Sequence, residues 1–120
     1  MASLSHVFLY VLTQSKVYHW QTKIYNKHVA SGAFYDAIQP LVDQFIETYQ
    51  GKYGRIMYTP INIEIKNISD SEFIDILNQF KEFLLVDIPQ MAKRTDADLI
   101  TLRDEMLAQT NQTIFLLSLQ

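Results

Sequence analysis

The residues best equipped for chemistry in this chain are three histidines, His6, His19 and His28, set among thirteen acidic side chains and no cysteine. Imidazole is the side chain that exchanges protons or binds metal most readily near neutral pH. Without cysteine there is no thiolate nucleophile, no disulfide and no sulfur-ligated zinc or iron–sulfur centre. The sequence also lacks a GxSxG elbow, a Walker phosphate loop and an HExxH pair. Serine-nucleophile chemistry and nucleotide hydrolysis therefore find no support. What remains is a metal site of imidazole and carboxylate.

Spacing brings such donors to one side of a helix. At about 100° per residue, Asp43, Asp36 and Glu47 fall roughly 60°, 80° and 100° from His28, in the same sense. Phe34, Ile38, Leu41 and Phe45 lie at roughly 220° to 280° on the same wheel, nearly opposite. One imidazole and three carboxylates thus share a stripe that faces away from the core. Mixed nitrogen and oxygen donors suit iron, zinc or another divalent ion. A polar stripe opposite an apolar one is also what any amphipathic surface helix shows. A di-iron centre inside one bundle needs Glu-x-x-His on two helices, and no glutamate here has a histidine three residues later. A buried site on this stripe requires a second subunit.

The elements that position these residues follow from apolar periodicity. A first helix carries Leu4, Val7, Phe8, Val11, Leu12 and Tyr18 as far as Lys23. A second runs from about Ala30 to Gln50, with Phe34, Ile38, Leu41, Phe45 and Tyr49 on one face and Gly51 as its stop. Pro40 inside it removes a hydrogen bond to Asp36 and predicts a bend. A third opens at Ser69, which has capping-box spacing to Glu72, and continues to Ile88, where Pro89 kinks or ends it. The fourth begins near Thr95 and carries Leu99, Leu102, Met106, Thr113 and Leu117. The predicted fold is all-α, a single four-helix-bundle domain over residues 1–120. Between helices two and three, residues 61–66 alternate with period two, a short strand-like stretch. It either pairs with a symmetry copy or collapses onto the bundle as an extended crossover. A connection of about 18 residues is long for antiparallel neighbours and makes these two helices roughly parallel, which is the ferritin-like topology.

Composition agrees with one globular domain: 120 residues, 48% apolar, 19% charged, with three glycines and three prolines. The net charge of −3 is split, with +3 in the first 35 residues and −6 in the remainder. That asymmetry brings the halves, or two subunits, together rather than coating nucleic acid, and only Lys16 is basic in residues 1–17, so DNA is not an expected partner. The beginning of the chain lacks the basic segment of a secretory signal, and the apolar run at residues 7–12 falls far short of the roughly 20 residues that span a bilayer. A cytoplasmic protein without a membrane partner is expected.

The stretch Tyr18-His19-Trp20-Gln21-Thr22-Lys23, then Tyr25 and His28, Phe34-Tyr35-Asp36 and Asp43-x-x-x-Glu47, resembles the first two helices of Dps-type mini-ferritins. Asp98-Leu99 through Phe115-Leu116-Leu117 is similar to their last helix. With Tyr49-Gln50-Gly51-Lys52-Tyr53-Gly54-Arg55, the wording is closer still to small uncharacterised Dps-like proteins of bacteriophages and large viruses. The resemblance implies a ferroxidase centre at a two-fold interface. His19 and His28 come from one subunit and Asp43 and Glu47 from its partner, in a homodimer or a dodecameric shell. Gly32 stands where that family has a ligating aspartate, and Asp36, one turn on, is the substitute carboxylate. The spacing from His19 to His28 is about three residues shorter than in the family, and the family has no equivalent of Pro40. Dps-like iron oxidation and sequestration against oxidative stress is the function implied. A ferritin-like scaffold without bound metal is the alternative, favoured by Gly32.

Overall fold

The computed structural model describes the backbone of residues 2–120 and the side chains of residues 4–120. The chain is helical: α1 spans Ala2–Gln21, α2 Tyr25–Tyr53, α3 Asp70–Glu82, α4 Ile88–Met91 and α5 Ala97–Leu117. A π-helical turn, Phe83–Asp87, joins α3 to α4 without a break. The long helices form a bundle in which α2 packs along both α1 and α5, and α3 packs against α1 and α5. No helix among the described residues is long and apolar enough to cross a membrane.

Each helix contributes one stripe to a common core. Phe8 of α1 is the hub, meeting Phe45 of α2 at 5.6 Å, Phe80 of α3 at 6.1 Å and Phe83 of the π turn at 5.6 Å, all edge-on. Edge-to-face contact sets the positive rim of one ring against the negative face of another, which favours it over a face-to-face stack. Ile38, Leu77, Leu99 and Met106 are fully buried around this cluster. Phe34, Ile38, Phe45 and Tyr49 face inward as their spacing predicts, whereas Leu41 is only half-buried.

The boundaries show where tertiary contacts override local signals. Helix α2 starts five residues before Ala30, because Asn26 in its first turn donates to the carbonyls of Leu116 and Leu119 at 3.1 and 2.9 Å. It also passes through Gly51, the predicted stop. Lys52 and Tyr53 are held in helix by Asp96 and Asp98, and the residue that takes a positive φ is Gly54, at 91°. Only glycine occupies that region cheaply. Pro40 lies exposed inside α2, which continues unbroken to Tyr53. The capping box is present: Ser69 Oγ accepts from the Glu72 N–H at 3.2 Å, and Glu72 accepts from the Ser69 N–H at 3.0 Å.

At the other end of α3 the helix does not stop at Pro89; just before it, the turn widens. In the π turn the Ile88 N–H reaches Phe83 O, five residues back. The same register would pair residue 89 with Leu84 O, but proline has no N–H. Arg103 of α5 supplies the missing donor, its Nη1 bonding Leu84 O at 3.0 Å.

The segment 54–69 contains no strand; among the described residues the chain has none. It crosses α1 in extended form, with Ile61, Ile63 and Ile65 half-buried and Asn62, Glu64 and Lys66 exposed. Tyr58 hydrogen-bonds Ser5 at 2.6 Å, and Gln14 grips the Lys66 backbone, donating to its carbonyl at 2.8 Å and accepting from its N–H at 3.2 Å. The segment therefore runs the length of α1 and delivers Asp70, the first residue of α3, to Tyr18 and Thr22.

Candidate functional site

The turn between α1 and α2 brings two of the candidate ligands together. His19 lies in the last turn of α1 and His28 in the first turn of α2. Their rings stack, with centroids 3.9 Å apart and planes 15° from parallel. Each Nδ1 bonds the main-chain carbonyl of the other residue: His19 Nδ1 to His28 O at 2.6 Å, and His28 Nδ1 to His19 O at 2.8 Å. A carbonyl only accepts, so both Nδ1 atoms carry a proton, and it is Nε2 that offers the lone pair in the neutral form of each ring. The His19 carbonyl is one of the orphan acceptors at the end of α1, which gives the contact a capping role as well. Ser31, fully buried, donates to His28 O at 3.2 Å and lies 3.3 Å from His19 Nδ1.

This clasp explains Gly32. A Cβ at position 32 would stand 2.7 Å from His19 Cε1 and 3.0 Å from its Nδ1. The imidazole occupies the volume that any side chain at 32 would need. The aspartate implied at this position by the resemblance has no room while the rings are stacked.

The carboxylates lie elsewhere. Asp36, Asp43 and Glu47 are all exposed on α2. At 1.5 Å rise per residue they stand about 12, 22 and 28 Å along the axis from His28. Asp43 accepts from Gln39 Nε2 at 2.7 Å. Asp43 and Glu47 flank a cleft of about 410 Å³ lined by Leu9, Leu12, Ile46 and Tyr58. Among the described residues, no three His, Asp or Glu side chains are grouped closely enough to hold a metal ion within one chain. The donors present are thus a paired imidazole at one end of the stripe and a carboxylate pair at the other.

The aromatics around the turn divide. Tyr18 is buried, stacked on Phe73 at 4.1 Å, and Tyr35 is half-buried beneath Lys16 at 4.6 Å. Trp20 and Tyr25 are 64% and 80% exposed, so packing does not account for them. His6 is also exposed, beside a cavity of about 450 Å³ between α1 and α3.

Two polar networks carry no motif in the sequence. Tyr18 donates to Asp70 at 2.6 Å, with Thr22 and Lys27 on the same carboxylate. Burial, and then the Asp70 carboxylate, push the Tyr18 hydroxyl pKa well up. At the opposite end Asp96, buried, accepts from Tyr53 at 2.5 Å and the Lys93 N–H at 2.8 Å and pairs with Lys52 at 3.2 Å. The Tyr53 hydroxyl, then the Lys93 amide and Lys52, hold Asp96 below the ordinary carboxylate range. Only the Asp-x-Asp pattern at 96–98, before an apolar run, hints at it.

The fold and its site define a helical-bundle protein with a histidine clasp between its first two helices. The chain belongs to DUF5856, a family of unknown function, whose model matches residues 19–117. No curated protein and no solved structure matches it.

Proposed function

We propose that this chain is a ferritin-like, Dps-related protein that takes up ferrous iron at a seam between two copies and oxidises it, limiting oxidative damage. The observation that carries the reading is the reciprocal bonding of His19 and His28. A metal-binding histidine commonly donates its other ring N–H to a carbonyl or carboxylate, which fixes the tautomer and frees the ligating nitrogen. Here both rings are held in that state. Asp43 and Glu47 face outward on the same helix, too far to reach their own imidazoles, so a second copy laid antiparallel supplies them. The ion pair of Lys27 with Asp70, at 3.8 Å, sets the starts of α2 and α3 side by side. That arrangement, with its long crossover, supports the ferritin-like topology. Each ferrous ion gives one electron to dioxygen or a peroxide, and the carboxylates hold the ferric product. Zinc or another divalent ion suits the same donors.

The test is aerobic ferrous titration of the metal-free protein, followed by ferric absorbance, with cobalt(II) spectra as a readout of binding alone. Oxidation above buffer that is lost in His28→Ala and Glu47→Gln is expected. Oxidation equal to buffer in the parent protein, with no cobalt bound, refutes the reading.

The Gly32 contact favours a second reading, a ferritin-like assembly scaffold without redox chemistry. It leaves the seam one carboxylate short and the imidazoles engaged with each other. An intact dimer whose anomalous-scattering map is empty between His28 and Glu47 of a second copy selects this reading.

A further inference from the structure

The extended crossover, residues 54–69, has a free edge. Within a strand, the N–H and C=O of one residue point to one side and those of its neighbours to the other. Gln14 engages both backbone groups of Lys66, which fixes the side facing α1. By alternation, the backbone groups of Ile63, Ile65 and Asn67 face away from α1. Among the described residues these groups make no hydrogen bond. Side chains alternate as well: the isoleucines turn inward, while Glu64 and Lys66 stand exposed and outside any ion pair among the described residues.

We propose that this edge is an interface for a second copy of the chain, joined as a two-stranded antiparallel ladder about a two-fold axis at Ile65. The charges choose the register. Centring on Ile65 sets Glu64 of each copy opposite Lys66 of the other, twice, and sets Ile63 opposite Asn67. Centring on Glu64 sets Glu64 against its own copy, a like-charge contact that opposes pairing. Centring on Ile63 leaves both charges without a partner. The Ile65 register also places only free-edge residues in the hydrogen-bonded positions, so about six new backbone bonds form across residues 63–67. Pro60 does not interrupt the ladder, because it falls on the side facing α1. The Ser69 N–H, already given to Glu72, marks the far end. A lone strand gains little by itself in water; here the bundle already holds each strand extended, so that ordering cost has been met before the copies associate.

The inference does not rest on the metal reading and is tested apart from it. Amide hydrogen exchange at Ile63, Ile65 and Asn67 is measured in the parent chain, in Glu64→Lys, in Lys66→Glu and in their equimolar mixture, with solution mass alongside. The parent is expected to show exchange slowed roughly tenfold or more at these three amides. Each single variant sets like charges opposite one another and loses that protection. The mixture regains it, because one chain then carries two lysines and the other two glutamates. A double variant carrying both changes also regains it, which separates pairing from any general loss of folding. Parent amides that exchange as unprotected backbone overturn the proposal, and so does a mixture that stays unprotected. Cobalt binding at His28 is unaffected by these substitutions, so the two readings fail independently.

Discussion

Replacing Gly32 with alanine puts the histidine clasp to a quantitative test, because two opposing effects of known size meet at that position. Alanine in a helix interior is better than glycine by about 1 kcal/mol, since it loses less backbone freedom on folding. Against this, the new Cβ lies 2.7 Å from His19 Cε1, so the ring must leave the stack. The hydrogen bond from His19 Nδ1 to His28 O, at 2.6 Å, and the stacking contact with the His28 ring, at 3.9 Å, go with it. At about 1 kcal/mol each, their loss costs about 2 kcal/mol. The net effect of Gly32→Ala is a destabilisation of about 1 kcal/mol, or a fall of roughly 4 °C in Tm for a domain of this size. The same helix supplies the control. Gly51 has nothing within 4 Å of its notional Cβ and no positive φ, so Gly51→Ala is expected to raise Tm by roughly 2–4 °C. Thermal unfolding followed by circular dichroism reads both. If Gly32→Ala proves as stable as Gly51→Ala, the rings are not locked and the account of Gly32 fails.

Three further outcomes follow from the same geometry. Ser69→Ala removes one arm of the capping box and is expected to lower stability by about 1 kcal/mol, read as a shift in urea midpoint with unchanged slope. Arg103→Met leaves Leu84 O without a donor at the π turn and is expected to cost about 1–2 kcal/mol, whereas Arg94→Met, on an exposed residue, is expected to change little. Asp96 has its pKa lowered in the fold, so its contribution is fully present above the unfolded carboxylate value and is lost as pH falls through the folded one. Lys52 and Tyr53 are raised, so theirs is present below their unfolded values and lost as pH rises through the folded ones. Stability measured against pH is therefore expected to fall below about pH 4 and above about pH 10, and Asp96→Asn flattens the acid limb.

Much of the helical architecture is legible because apolar periodicity reports burial directly: Phe34, Ile38, Phe45 and Tyr49 face the core as spaced. The misread boundaries have a common cause. The extent of α2 is set by contacts that span the chain, Asn26 to the C-terminal carbonyls and Lys52 and Tyr53 to Asp96 and Asp98. No local pattern encodes such partners. The π turn is likewise invisible without knowing that Arg103 stands opposite Leu84. At the candidate site, the outward stripe of Asp36, Asp43 and Glu47 follows from the wheel. The meeting of His19 with His28 does not, since it depends on the three-residue turn between two helices. Gly32 is legible only as a departure; its reason is the imidazole that fills the space.

The grip of Asn26 on the carbonyls of Leu116 and Leu119 has a practical consequence for anyone handling this protein. It parks the last residues within a helical turn of His28. A polyhistidine handle or fluorescent reporter joined there would start at the first turn of α2, adding foreign chelators at the same end of the bundle as the paired rings. Affinity purification through that end would therefore contaminate any titration with ions, and such work calls for a cleavable handle that leaves nothing behind.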